Sequence, residues 1–376
     1  MRVILTQKLL KHPDQFNINV RHHHQHQHQH TFDIHSRRLS RINMPYEKEH
    51  AEASGPDDAR PTALQIIKDN CLEGKLAGKI AVLTGSSSGI GVETARALAE
   101  TGLSLILPVR SLDKAREAMK DFFDPDRMEF VNIDHSSLDS VRDAAKAILT
   151  KTDKINILIN NAGIMNVQEL ERSKDGYELQ FATNHLSHFL FFQLLKPALL
   201  AGSTPEFPSR VVNLSSDAHR WGGINESGNY NFERSEYSPY VSYAQSKTAN
   251  IYMANEIERR YGAKGLHAAS VHPGVIKTGL ARYMTDEQIQ ALLSDDGLAR
   301  YWKSPGQGAA TTVWAAVGSD LKDIGGKYLT NCSVAKLGND PNDASGTSYR
   351  EHAYNPEGEL RLWEDSLTLV GFQEAA

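Results

Sequence analysis

Apolar residues fall along this chain in short unbroken runs, separated by longer stretches in which they recur at helical spacing. Residues 79–83, 103–107, 129–134, 155–160, 210–216, 266–271 and 327–330 have the length and β-branched content of buried strands. Between them, Val92, Ala95, Leu98 and Ala99 share one helix face, and residues 138–150, 177–200 and 306–317 carry the same period. A further helix runs through Ile251, Ala254 and Ile257. Strand and helix in regular alternation predict an α/β fold. The expectation is a doubly wound, seven-stranded, mostly parallel sheet with helices on both faces, in a single domain over 79–335.

The flanks lack this alternation. Residues 44–78 contain Pro45, Gly55, Pro56 and Pro61 and are expected to be a linker followed by a short helix over 62–70. Residues 336–376 form a tail ending in an amphipathic helix, with Leu360, Leu362, Trp363, Leu367 and Val370 on its apolar side. Residues 1–43 hold half of the 16 histidines, most in a His/Gln tract, and are expected to be a disordered extension rather than a metal site. That segment carries an excess of basic residues, so the remainder is more acidic than the overall charge of −5. An acidic body argues against nucleic-acid binding by phosphate neutralisation. Cys71 and Cys332 make neither a disulfide framework nor a zinc spacing. No apolar run reaches the length of a membrane span. The expected location is the cytoplasm, with a mitochondrial transit peptide as the alternative reading of the basic start.

Chemistry gathers where strands end. Thr84-Gly85-Ser86-Ser87-Ser88-Gly89-Ile90-Gly91 lies between the first strand and a helix. Glycines there allow a tight turn and close approach to a pyrophosphate, and the helix start offers free amides. Arg110 follows the second strand, with no acid before Asp113, which favours a ribose 2′-phosphate over a free 2′-hydroxyl. Asp134 ends the third strand as an acceptor for an adenine amino group or as a helix cap. Asn160-Asn161-Ala162-Gly163 ends the fourth, small enough for backbone to meet a ribose. Asn184 lies mid-helix, where its amide asks for a water or a kink; His188 on the same helix reads as a packed histidine. The fifth strand ends in Ser215-Ser216, and a long Gly/Asn/Ser/Tyr-rich loop then leads to Tyr243.

Tyr243 is the only one of 13 tyrosines with a lysine four residues on, Lys247. On a helix the two side chains share a face, and the cation is expected to pull the phenol toward neutrality, as a general acid/base requires. After the sixth strand come His272-Pro273-Gly274-Val275-Ile276-Lys277-Thr278, where Thr278 is placed to meet an amide or a phosphate. Residues 279–304 read as a mobile, partly helical lobe. Trp221, Tyr240, Met165 and Met284 are candidates for an apolar pocket wall.

Taken in order, these motifs resemble the short-chain dehydrogenase/reductase family. The likeness is to its branch of retinol dehydrogenases and WW-domain oxidoreductases, carried by Asn184-His-Leu-Ser-His-Phe189, Val212-Asn-Leu-Ser-Ser216, Tyr243-Ala-Gln-Ser-Lys247 and Arg110. The resemblance implies a Rossmann-like fold and an oxidoreductase moving a hydride between a nicotinamide and a small apolar ketone, aldehyde or alcohol. NADP (NADPH) is the expected cofactor and NAD the less favoured one. Catalysis would fall to Tyr243 as acid/base, Lys247 on the tyrosine and the ribose, Ser216 on the carbonyl and Asn184 on a relay water. The cofactor would be held by Gly85, Ser87, Ser88, Gly89, Ile90, Gly91, Arg110, Asp134, Asn161, Ala162, Gly163, Tyr243, Lys247, Pro273, Gly274, Val275 and Thr278. Partners are then a small carbonyl or alcohol substrate and, following the family, a second copy paired through the helices of Asn184 and Tyr243. Two other readings compete: a Rossmann-fold sensor that binds nucleotide without turnover, which would not need Asn184, Ser216, Tyr243 and Lys247 together, and a nucleotide-sugar epimerase, for which the tail is too short.

Overall fold

The computed structural model describes residues 46–322, 324–338, 340, 343 and 345–374; the expected extension over 1–43 lies outside them. Two helices open the described chain, α1 (Glu47–Ala51) and α2 (Ala63–Asp69), the second capped by the Thr62 hydroxyl, which accepts from the Gln65 amide. Strand and helix then alternate as β1 (Ile80–Leu83), α3 (Ile90–Glu100), β2 (Ser104–Val109), α4 (Leu112–Met119), β3 (Met128–Asn132), α5 (Leu138–Leu149), β4 (Ile157–Asn160), α6 (Ser187–Gly202), β5 (Ser209–Leu214), α7 (Pro239–Tyr261) and β6 (Leu266–His272). An excursion containing α8 (Asp286–Leu293) precedes α9 (Pro305–Val317), β7 (Lys327–Thr330), the short β8 (Ser333–Val334) and α10 (Pro356–Leu369).

The sheet order is β8-β7-β6-β5-β4-β1-β2-β3. All seven expected strands pair in parallel. The eighth, β8, returns antiparallel to β7 through a two-residue turn, Asn331-Cys332, with φ of 52° and 50°. That is the geometry of a hairpin turn that usually takes Asn-Gly. A cysteine in the glycine's place hides the hairpin from a sequence reading.

Side chains alternate across the strands, so each face builds its own core. Val82 and Ile106 point toward α5, α6, α7 and α10, whereas Ala81, Leu83, Leu105 and Leu107 point toward α2, α3 and α9. The chain leaves β1 in one direction along the sheet and β4 in the other. The carboxyl ends of these two neighbours therefore form the crevice in which such sheets bind ligands.

Both flanks belong to this packing. Ile66 and Ile67 of α2 are fully buried. Arg60, in the stretch expected to be a linker, is buried with Asp58 at 2.8 Å and donates to the carbonyls of Gly55 and Trp302 at 2.9 and 2.6 Å. Prolines and glycines suggested slack there; a buried ion pair makes it part of the domain instead. At the other end Trp363 of α10 sits edge-on to Phe189, 4.9 Å between centroids, and Ser366 meets His185 at 2.9 Å. Leu360, expected on the apolar side, is 44% exposed. Because α10 lies on α6 and α7, a homodimer through those helices would meet the chain's own tail first. No helix among the described residues is long and apolar enough to cross a membrane.

Candidate active site

The turn after β1 is built by close backbone approach. Gly85 and Gly89 have φ of 70° and 60°, a region open to glycine at no steric cost. A Cβ on Gly85 would lie 2.6 Å from Ala162 Cα, and one on Gly91 would lie 2.3 Å from the Gly85 carbonyl oxygen. The amides of Ser87, Ser88 and Gly89 donate to no protein acceptor among the described residues, and the buried Ser86 hydroxyl has no partner. Free amides at the start of α3 form a receptor for an anion. Thr278 stands opposite, its Cγ2 3.1 Å from where a Gly89 Cβ would be. Thr278 therefore lies against the glycine turn, and its hydroxyl also caps the turn Gly279–Tyr283.

Asn161 packs toward the glycine turn. Its amide side chain turns inward and donates to the carbonyls of Thr84 and Gly85 at 2.9 and 3.1 Å. Asn160 likewise donates to Asn213 at 2.8 Å. These asparagines staple strand ends and the glycine turn, leaving backbone around Ala162 and Gly163 to face the crevice. Asp134 accepts from Ser136 N and from Lys174 Nζ at 3.0 and 2.8 Å and so closes the loop before α5, whose N-cap is Ser137 rather than Asp134. Burial opposes its charge, but the bonds from Lys174 and Ser136 win and lower its pKa to about 2. Arg110 is exposed at the end of β2, where its carbonyl accepts from Asn132.

Tyr243 and Lys247 lie on α7, buried to 5% and 4% exposure, with the ammonium 5.4 Å from the ring centroid. Lys247 Nζ donates to Leu214 O at 3.1 Å, tying the helix to the end of β5. The Ser216 hydroxyl donates to Asp217 Oδ1 at 3.2 Å and lies close enough to Tyr243 to favour its ionised form, whereas the Ser215 hydroxyl turns away to Lys247 O at 2.7 Å. The expected direction of the tyrosine shift is reversed: burial pushes the phenol well up, Ser216 only partly offsets this, and nearby Asp217 adds to it. Burial also lowers Lys247 to about 8. Taking both groups out of water outweighs their attraction. Sequence spacing shows the neighbour but not the desolvation.

Asn184 sits in a π-helical turn, Ala182–Leu186, that leads into α6, the irregularity expected of an amide in mid-helix. Its Oδ1 accepts from Ile164 N at 2.9 Å, and its Nδ2 donates to Ile164 O and Ser246 Oγ, both at 2.9 Å. Both amide hydrogens are spent, so the side chain has no donor left for a relay water. A Cβ on Gly163 would fall 3.2 Å from Asn184 Oδ1 and 3.6 Å from Lys247 Nζ, which places these three residues together.

Pro273 and Gly274 leave β6 with Gly274 at φ 103°. Buried Lys303 donates to Pro273 O at 3.3 Å and to Asn331 Oδ1 at 2.8 Å. Val275–Ile276 pairs with Trp302–Lys303, so the lobe over 279–304 is clamped at its base. Lys303 and Thr84 were missed as site residues. A lysine in a polar lobe reads as solvated, and Thr84 stood in its motif without a role. Trp221 (49% exposed) and Tyr240 meet edge to face at 6.4 Å, and Met284 is buried in the lobe. A cavity of about 750 Å³ lies at the amino end of β6, lined by Glu258, His267 and Lys327; open α/β sheets take ligands at the other end.

Residues 79–289 match the family described as short chain dehydrogenase. The short-chain dehydrogenase/reductase prx1 of Penicillium rubens is 45% identical over 335 residues, 88% of this chain and 96% of that protein. Retinol dehydrogenase 13 of Homo sapiens is 34% identical, covering 79% of this chain and 86% of its own length. A solved structure of a protein from Mycobacterium Paratuberculosis superposes with a TM-score of 0.60 at 28% identity, over 85% of this chain and 98% of that one. The chain thus belongs to the short-chain dehydrogenase/reductase family, in its retinol-dehydrogenase-like branch, and is an oxidoreductase acting on CH–OH or C=O groups.

Proposed function

We propose that this protein is an NADP-dependent carbonyl reductase/alcohol dehydrogenase for a small apolar ketone, aldehyde or alcohol, with Tyr243 as its general acid/base. The observation that carries the reading is the buried Tyr243 phenol beside the equally buried Lys247, with Ser216 next to it, at the crevice end of the sheet. The residues fit the dinucleotide: free amides at 87–89 and the orphaned Ser86 hydroxyl suit the pyrophosphate, with Thr278 opposite. Arg110 would take a 2′-phosphate at the end of β2, and Lys247 the nicotinamide ribose.

When bound, the nicotinamide supplies or accepts the hydride. Ser216 holds the carbonyl oxygen and stabilises the charge that develops on it. A phenol that burial keeps protonated is set to donate, so Tyr243 passes its proton to that oxygen in reduction and recovers one from an alcohol in the reverse reaction. Lys247 then stabilises the phenolate left behind.

Titration with NADPH and with NADH, followed by nucleotide fluorescence, tests the cofactor. Tight NADPH and weak NADH binding, with the preference lost in Arg110→Ala, is the expected result; an NADH preference would discard Arg110 as the phosphate contact. Tyr243→Phe should bind NADPH as wild type does and lose about 10²–10⁴-fold in kcat. Wild-type kcat in that variant would remove Tyr243 from the mechanism, and binding without any turnover in the wild type would favour the sensor reading.

A further inference from the structure

We propose that His188 is a positioning residue that joins the nucleotide-binding turn to the catalytic helix through one hydrogen-bonded path. The inference rests on the reading of Tyr243 and Lys247 as the catalytic pair. His188 lies on α6, fully enclosed, with Nε2 3.0 Å from Thr84 Oγ1 and Nδ1 3.2 Å from Asn184 O. Its ring lies against that of His135, 4.5 Å between centroids.

Proton counting orients the path. Thr84 Oγ1 accepts from Asn161 N and from Ala162 N, each at 3.0 Å. A hydroxyl has two acceptor positions and one proton, so with both positions used Thr84 must donate. His188 Nε2 at 3.0 Å is the nearer acceptor and Ile159 O at 3.4 Å the farther one. Nε2 is then bare, and the neutral ring carries its hydrogen on Nδ1, which donates to the Asn184 carbonyl. Burial and the neighbouring His135 both hold the ring neutral.

Beyond Asn184 the path continues through its amide to Ser246 Oγ at 2.9 Å, and from that hydroxyl to Tyr243 O at 2.8 Å. It therefore runs from backbone facing the crevice, through Thr84, His188, Asn184 and Ser246, to the residue that moves the proton. His188 touches no reacting atom. It sets the distance between the turn that holds the nucleotide and the π-turn that holds Asn184 against Ile164. One ring with opposite hydrogen-bonding character on its two nitrogens spans that gap.

The two halves of the ring can be removed separately. His188→Gln can place an acceptor near the Nε2 position and keep the Thr84 contact. His188→Asn can place a donor near the Nδ1 position and keep the Asn184 contact. His188→Leu keeps neither. The measurements are the Kd for NADPH by fluorescence titration, kcat with benzaldehyde as probe, and Tm. The Gln variant is expected to keep the wild-type Kd while kcat falls about tenfold, the weight of one hydrogen bond. The Asn variant should do the reverse, and Leu should lose in both. Equal losses in Gln and Asn, or wild-type values in Leu, would overturn the proposal and leave His188 a packing residue. If wild type binds NADPH but ignores benzaldehyde, the Kd contrast between Gln and Asn decides alone. A wild type that binds neither NADPH nor NADH overturns the functional reading itself, and this inference with it.

Discussion

Two regions meet across the crevice, and they are built by opposite means. The ends of β1, β4 and β5 form a buried polar frame in which Thr84, Asn160, Asn184, Ser246 and Lys247 are hydrogen-bonded to other strands, turns and helices. The lobe over 279–304 has no buried residue in any of its three helical pieces. It is held by a two-residue strand pairing, by Arg60 at Trp302 O, by Gln168 at Tyr283 O and by Gln288. A frame made of interdependent buried bonds fixes atoms to within ångströms, as proton and hydride transfer require. A thin cover can open and change shape, as admitting a substrate requires. On the proposed function, chemistry belongs to the rigid side and substrate choice to the loose one.

The comparison breaks most readily at Gly91. Gly91→Ala puts a Cβ 2.3 Å from the Gly85 carbonyl oxygen and 2.8 Å from Asn161 Nδ2. Backbone cannot step aside as a side-chain tip can, so stability should fall by about 3 kcal/mol, the upper part of the overpacking range. NADPH affinity should fall about 100-fold with it, because the same turn presents the amides to the phosphates. Urea unfolding and NADPH titration check both; an unchanged Kd would mean that the turn is not where the nucleotide binds.

Lys247 sharpens the comparison in the other direction, because the frame holds its chemistry at a cost in stability. Burial lowers the lysine from 10.5 to about 8, so between these values the unfolded chain binds more protons than the folded one. Stability therefore rises with pH across that window, and below it the full penalty is present. Lys247→Met removes the penalty. At pH 7 the variant should be more stable than wild type by about 3 kcal/mol, a gap that closes as pH rises from 8 toward 10.5. Taking the difference from wild type cancels the contributions of Lys303 and the buried tyrosines. Urea midpoints at pH 7, 8.5 and 10 measure it, and a pH-independent gap would show that the lysine is not held at this cost.

Legibility in the sequence divides along the same line, with instructive exceptions. The strands and the Tyr243/Lys247 pairing were readable because periodicity reports which face a residue occupies. Asn184 was readable as an uncomfortable residue in a helix, and the π-turn is the result. Burial in three dimensions was not readable, and the errors concentrate there. The Tyr243 shift came out with the wrong sign because no spacing reveals desolvation. Nothing local shows that the Asn161 amide turns back to Thr84 and Gly85. Arg60 and Lys303 were passed over because buried cations in loop-like sequence look like solvated ones until their partners, far along the chain, are known. Among the pocket candidates, Trp221 and Tyr240 meet each other and Met284 lies in the lobe, but that lobe has no periodic signal from which its attachment could be inferred.

The smallest effect is expected at that attachment. Gln288 Oε1 accepts from Thr285 N at 2.9 Å and Asn166 Nδ2 at 3.0 Å, and its Nε2 donates to Tyr240 OH at 3.0 Å. The same side chain completes the capping box of α8 and ties that helix to the frame. Gln288→Ala leaves the Thr285 hydroxyl capping the helix but removes the reciprocal bond from Thr285 N together with the tie, a loss of about 1 kcal/mol. Because the lobe buries so little, this loss should appear as local opening rather than global unfolding. Amide exchange over 286–293 should quicken while Tm stays within about 2 °C, the shift expected of a fraction of a kcal/mol in a domain this size. NADPH affinity should hold, and KM for a carbonyl probe should rise a few-fold at nearly constant kcat, the pattern of lost ground-state binding. A large fall in Tm or in NADPH affinity would instead show that the lobe is part of the frame, and that the division between a rigid chemical side and a loose substrate side is wrong.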